Sequence, residues 1–216
     1  MTTSNADPHA GAEILSAGAP LSAARAAVVM MHGRGASAAD ILDLAGQLPG
    51  KDVAYLAPQA SGSTWYPHRF LEPIERNEPA LSSALALLSA ITGLIRDAGI
   101  AEPRIALLGF SQGACLVTEW AARNPARYGG VIALSGGLIG PPGTVWPDRG
   151  SLAGTPVFLG CSDVDSHIPV SRVTESGDRL RALGATVDVR LYPGMGHTVN
   201  RDELHAARAI VQAMLD

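Results

Sequence analysis

Gly109-Phe110-Ser111-Gln112-Gly113 is a G-x-S-x-G sequence, and the chemistry that this spacing serves is nucleophilic attack by a serine. At a strand-to-helix turn the serine takes strained backbone angles, and glycines two before and two after it let neighbouring elements come close. Its hydroxyl then stands clear above the sheet, and the free N–H groups of the helix N-terminus face the point where negative charge develops. Outside that context the pentapeptide is only a Gly-Ser turn. A serine hydroxyl is a poor nucleophile at neutral pH, so it needs a general base within hydrogen-bond reach and an acid to orient that base. Both residue types lie downstream, in Asp163-Val164-Asp165-Ser166-His167-Ile168-Pro169 and in Pro193-Gly194-Met195-Gly196-His197. We read Ser111 as nucleophile, His197 as base and Asp165 as orienting acid, with Asp163 as a turn or loop-capping aspartate. A metal reading of the Asp-x-Asp-x-His string lacks a partnering His or carboxylate cluster, so no metal is expected.

A tetrahedral oxyanion needs two donors. The backbone N–H of Gln112 is one, and the loop Met31-His32-Gly33-Arg34-Gly35 offers the other, with the Arg34 backbone the best placed. Gly33-Arg34-Gly35-Ala36-Ser37-Ala38 also matches a G-x-G-x-x-A dinucleotide fingerprint. The next strand, however, ends in Pro58-Gln59 without the acidic residue that would bind a ribose. No nucleotide or other organic cofactor is expected, and His32 reads as a structural histidine. Between Ser61 and Glu78, Trp65, Tyr66 and Phe70 either wall an acyl pocket or cover the sheet edge. Arg69 is a candidate receptor for an anionic substrate group, or an exposed surface cation.

The elements that must carry these groups are legible as alternating patterns. Ala27–Met31, Val53–Ala57, Arg104–Leu108, Val131–Leu134, Val157–Leu159 and Val187–Leu191 read as strands, apolar on both faces as buried parallel strands are. Leu81, Leu85, Leu88, Ile91 and Ile95 repeat at helical spacing behind Pro79, and Gly99 closes the segment. Ala114–Ala122 is apolar nearly all round, as a central buried helix is, and stops before Pro125. A further helix begins near Pro169, with Val173 and Leu180 inward and Arg172, Glu175 and Arg179 outward. Asn200 and Glu203 are spaced as a capping box at the start of the last helix. The expected class is α/β, a mostly parallel sheet with helices on both faces. The three catalytic candidates fall at carboxyl ends of strands, where such sheets bind ligands.

Composition removes other function classes. The 216 residues suit one domain, and neither a repeat nor a linker divides them. Net charge is −4 and the 16 Lys and Arg are spread thinly, so no basic stripe serves a nucleic acid. The longest apolar stretch, Ala26–Met31, is too short to span a bilayer, and no basic n-region precedes Arg25. A cytoplasmic protein without an integral membrane segment is expected. Cys115 and Cys161 read as buried reduced packing residues. About the first ten residues are expected to fray.

With Gly109–Ala114, His32-Gly33-Arg34-Gly35, Asp163-x-Asp165-x-x-Ile168-Pro169 and Gly196-His197 in view, the chain resembles the phospholipase/carboxylesterase family of small α/β-hydrolases, which includes acyl-protein thioesterases. The resemblance runs from about Ala27 to the C-terminus. It implies a single α/β-hydrolase domain over residues 1–216, without a separate lid domain. It further implies hydrolysis of carboxylic esters, thioesters or lysophospholipids through an acyl-enzyme on Ser111, with Asp165, His197 and the Arg34 and Gln112 backbones in the family's roles. Arg34 stands where acyl-protein thioesterases carry a hydrophobic residue, and Thr64-Trp65-Tyr66-Pro67-His68-Arg69 differs from their Trp-Phe-Asp segment. These departures point away from a long-chain acyl or lipidated-protein substrate, and because a chain of this length leaves no room for a lid domain, a shallow open site favouring a small-molecule ester of short to medium acyl chain is expected. A homodimer is compatible with this reading. The alternative is a catalytically silent scaffold that binds a small molecule without turnover.

Overall fold

The computed structural model describes residues 7–216. Seven strands form one sheet: β1 (Ile14–Gly18), β2 (Ala26–Met31), β3 (Val53–Pro58), β4 (Ile105–Phe110), β5 (Gly130–Leu134), β6 (Pro156–Ser162) and β7 (Thr186–Tyr192). Their spatial order is β1-β3-β2-β4-β5-β6-β7. Strands β2 to β7 pair in parallel, and β1 pairs antiparallel with β3. Six strands thus stand where the apolar runs place them, each within one to three residues at its ends. β1 was not anticipated, because Ile14-Leu15-Ser16-Ala17-Gly18 lies on an edge and is only half buried, which leaves no continuous apolar run to read.

Alternate residues of each strand serve two cores. Ala27, Val29, Met31, Ile105 and Leu107 face α2 (Ala80–Asp97), α3 (Gln112–Arg123) and α4 (Val170–Ala182). Ala26, Val28, Met30, Ala106 and Leu108 face α1 (Ala38–Leu42) and α5 (Arg201–Ala213). Burial on both faces is what makes β2 to β6 apolar throughout, whereas β7, also expected to be buried on both faces, is the other edge of the sheet, has no fully buried residue and carries Asp188 and Arg190. This is the single-domain α/β-hydrolase architecture, with helices on both sides of a mostly parallel sheet.

Helix α2 is the one helix among the described residues that is long and apolar enough to cross a membrane by length and composition. It is longer than the Ala26–Met31 run noted in the sequence, and its Leu81, Leu85, Leu88, Ile91 and Ile95 are buried against the sheet. Gly99 ends the segment at φ 90°, a left-handed conformation that favours glycine. Helix α5 carries the anticipated capping box between Asn200 and Glu203.

Two expectations need correction. Arg172 was placed outward but is 3% exposed: its Nη1 donates to the Leu138 and Gly140 carbonyls at 2.8 and 2.7 Å, and its Nε meets Glu175 at 2.9 Å. A guanidinium can be buried when nearly every donor is satisfied, and here it fastens the loop after β5 to α4. At the N-terminus, residues 1–6 lie outside the described residues. His9, expected to fray, is buried; its Nε2 bonds the Trp65 carbonyl at 2.9 Å, and its backbone N–H donates to Ser83 Oγ at 2.9 Å.

Candidate active site

Ser111 sits between the last residue of β4 and the first of α3, at φ 54° and ψ −118°. This is a region that L-residues avoid, and it is held by flanking hydrogen bonds: Ser111 N–H donates to the Leu134 carbonyl, and its own carbonyl accepts from Cys115 N–H. The turn is feasible because Gly109 and Gly113 lack Cβ atoms. A Cβ at Gly113 would overlap the Met31 carbonyl, and one at Gly109 would overlap the backbone of Gly113. The two glycines therefore let α3 start directly against β2 and β4, leaving the serine hydroxyl above the sheet.

Two loops at the carboxyl ends of β6 and β7 reach that hydroxyl. His197 Nε2 lies 2.9 Å from Ser111 Oγ, and His197 Nδ1 lies 2.7 Å from Asp165 Oδ2. The Asp165 side chain is fully buried, while that of His197 retains 20% exposure. Asp165 Oδ1 accepts from the N–H groups of His167 and Ile168 at 2.8 and 3.1 Å. Burial alone would raise the Asp165 pKa, but the bond to His197 and these two backbone donors outweigh it and hold the carboxyl below its usual range. Asp163 serves a different loop, accepting from Gly194 N–H at 2.8 Å. That is the capping role expected of it, and its carboxylate and that of Asp165 do not share partners.

The thiol of Cys161 also approaches Asp165, with Sγ 3.7 Å from Oδ2. Burial, with the nearby Asp165 charge, pushes this thiol up to about 12, so it remains a neutral donor. The sequence showed only a packing cysteine there, because its neighbour comes from folding the loop back on the strand.

Beside Ser111, the Gly33-Arg34-Gly35 loop follows β2. Gly35 N–H is engaged by the Ser63 carbonyl, whereas neither Arg34 nor Gln112 N–H is taken by an acceptor among the described residues. His32 is buried; its Nε2 accepts from Ala60 N–H at 3.1 Å, so Nδ1 carries the proton and donates to the Gly33 carbonyl at 2.8 Å. Burial lowers its pKa, which keeps it neutral and structural. The Arg34 side chain donates to the carbonyls of Tyr66, Pro67 and His68 at 2.9, 2.8 and 2.7 Å.

The cavity over Ser111 holds about 530 Å³ and is bounded by Tyr66, Arg69, Phe70, Phe110 and Ile168 among others. Tyr66, Arg69 and Phe70 therefore line the cavity that contains Ser111. Trp65 does not: it is fully buried behind the wall, its Nε1 donating to the His32 carbonyl at 2.9 Å, its ring between those of His9 and His32. The indole N–H of Trp65 finds its partner in the core, which draws the ring away from the cavity. Phe110, Cys115 and His167 line the cavity without having been singled out for it. Phe110 is legible as the x of the elbow motif; Cys115 and His167 required the fold.

The family model for phospholipases and carboxylesterases matches residues 11–215. A crystal structure of a phospholipase/carboxylesterase from Dyadobacter fermentans superposes with a TM-score of 0.88 at 42% identity, covering 95% of this chain and 97% of that one. Acyl-protein thioesterase 1 of Gibberella zeae is 32% identical over 122 residues, 55% of this chain and 52% of that protein. Lysophospholipase-like protein 1 of Mus musculus is 26% identical over 140 residues, 62% and 58% of the respective chains. The chain spans about half the length of the curated relatives it matches. By the extent of the family match and the near-complete superposition on a solved relative, it belongs to the phospholipase/carboxylesterase family.

Proposed function

We propose that this chain is a serine hydrolase of carboxylic esters, acting through an acyl-enzyme on Ser111. The observation that carries the reading is the unbroken relay from Ser111 Oγ through His197 to the buried Asp165, with contacts of 2.9 and 2.7 Å at a strained elbow. Ser111 Oγ attacks the carbonyl carbon while His197 Nε2 takes its proton. The N–H groups of Arg34 and Gln112 bind the oxyanion, and Asp165 holds the imidazole with its proton on Nδ1 and stabilises the cation. Collapse of the intermediate breaks the bond to the leaving oxygen or sulfur, which receives the proton from Nε2. Water then attacks the acyl-enzyme, giving a proton to the same nitrogen, and the acid leaves as Ser111 regains its hydrogen. Thioesters and lysophospholipids, which the names of the relatives suggest, undergo the same two displacements.

The cavity of about 530 Å³ is of small-molecule size, and its apolar lining of Tyr66, Phe70 and Ile168 suits a short or medium acyl chain. Labelling with a fluorophosphonate, read by intact mass, tests the mechanism: the wild-type protein gains one adduct and Ser111→Ala gains none. Equal labelling of both, or of neither, removes the serine assignment. A panel of p-nitrophenyl esters then tests chain length, and kcat/KM rising steadily toward long chains contradicts the short-acyl assignment.

A further inference from the structure

Arg69 is the cation at the mouth of this cavity, and its surroundings are built to hold it there. The backbone that carries it is bonded at nearly every residue. Gln112 Nε2 donates to the Tyr66 carbonyl, Arg34 to the carbonyls of 66 to 68, and Gly140 N–H to the Phe70 carbonyl. Asn77, fully buried, accepts from His68 N–H at 2.8 Å and donates to the Arg69 carbonyl at 3.2 Å. A buried amide spent on an exposed turn indicates that the position of this turn matters.

The Arg69 side chain leans across the opening toward the loop that supplies Asp165, with Nη2 3.5 Å from the His167 carbonyl. That one long contact leaves most of the guanidinium's five donors free. The carboxylate beside it in the lining, Glu72, is paired with Arg76 at 2.8 Å, and no acidic side chain among the described residues is within ion-pair distance of Arg69. Arg34, the other arginine of the lining, is consumed by carbonyls. Among the described residues that line the cavity of this chain of net charge −4, Arg69 is thus the one arginine or lysine with donors to spare.

We infer that Arg69 is a receptor for a substrate anion: the site takes esters that carry a carboxylate or phosphate group in addition to the scissile bond. The inference rests on the ester-hydrolase reading of the same site and adds the substrate's charge. A guanidinium binds such groups through two parallel N–H donors, which fixes orientation as well as adding affinity.

The test compares kcat/KM within two matched pairs: p-nitrophenyl hemiglutarate against p-nitrophenyl valerate, and 1-butyrylglycerol 3-phosphate against 1-butyrylglycerol. The first pair puts the charge on the acyl side and the second on the alcohol side. In at least one pair the wild-type protein is expected to favour the anionic member by about tenfold. Arg69→Gln brings that ratio near one, and Arg69→Glu inverts it. A ratio that neither substitution changes, in either pair, overturns the inference. Should the variants fail to fold, the wild-type protein suffices, because its preference must shrink as salt rises from about 0.05 to 0.5 M. A preference indifferent to salt, or none at all, overturns it equally. Ser111-dependent hydrolysis of the neutral esters without preference for the anions defeats this inference alone; hydrolysis of no ester defeats the functional reading with it.

Discussion

Gln112 grips Trp65 and Tyr66 by their backbones: its Oε1 accepts from Trp65 N–H at 2.9 Å and its Nε2 donates to the Tyr66 carbonyl at 2.8 Å. The residue whose main-chain N–H we propose as an oxyanion donor therefore also fastens the cavity wall with its side chain. Gln112→Ala keeps the main-chain donor but strands the buried Trp65 N–H, at a cost of about 1–3 kcal/mol, while the Tyr66 carbonyl keeps its bond from Arg34. Lower thermal stability with a raised KM is the expected result, measured by calorimetry and steady-state kinetics. Unchanged KM would show that the wall stands without this clamp.

Asp165→Asn separates orientation from architecture. An asparagine Oδ1 can still accept from His167 and Ile168, but its NH2 group then faces His197 Nδ1 and forces the proton onto Nε2. Nε2 then cannot accept from Ser111. kcat is expected to fall by about 10⁴-fold with little change in melting temperature. A fall of less than about tenfold would assign the orienting role elsewhere.

Two glycine substitutions should behave differently for a geometric reason. Gly113→Ala drives a methyl into the Met31 carbonyl, whereas Gly196→Ala, at φ 79°, meets open space and is strained only in its backbone. The first is expected to cost about 3 kcal/mol or prevent folding, the second about 1 kcal/mol. Denaturant titration checks the order, and equal costs would contradict the close approach of α3 to β2.

Glu203 supplies a pH dependence. It is fully buried at the start of α5, with Oε2 accepting from Asn200 N–H and Oε1 unpartnered against Gly160. Burial pushes its carboxyl up to about 7, against 4.5 for the free group. The folded state then holds a proton that the unfolded state has released, so stability declines as pH rises from about 4.5 to 7. Above that window the penalty is complete, on the order of 3 kcal/mol. Glu203→Gln keeps the capping acceptor and removes the charge. Relative to this variant, the wild-type melting temperature is expected to drop between pH 5 and pH 8. His32, whose pKa burial lowers, acts in the opposite sense over part of that range. It is common to both proteins and cancels in the difference. Parallel curves would show that Glu203 is not strained by its burial.

Arg34 offers a further substitution. Arg34→Lys replaces a planar fork that meets three carbonyls with a single ammonium, which cannot reach all three at once. Amide exchange at Tyr66 and at His68 to Phe70 is expected to accelerate while the Arg34 main chain stays in place. Protection equal to wild type would mean that Asn77 and Gln112 hold the turn alone.

The elbow, the triad order and the six parallel strands were all legible in the chain itself. Ser111 is marked by glycines whose spacing reflects a local steric need, and strands β2 to β6 by apolar runs that burial on both faces enforces. Asp165 and His197 were found because each follows a strand in a short loop, so that chain position nearly determines spatial position. What the tertiary structure decided are the partnerships of side chains distant in sequence. Arg34 meets residues 66–68, Arg172 is buried under the loop after β5, and Trp65 turns inward while Tyr66 and Arg69 face the cavity. Such choices depend on which donor finds which carbonyl once the loops are packed. Polarity and periodicity state that a group needs a partner; only the folded chain brings one within three ångströms.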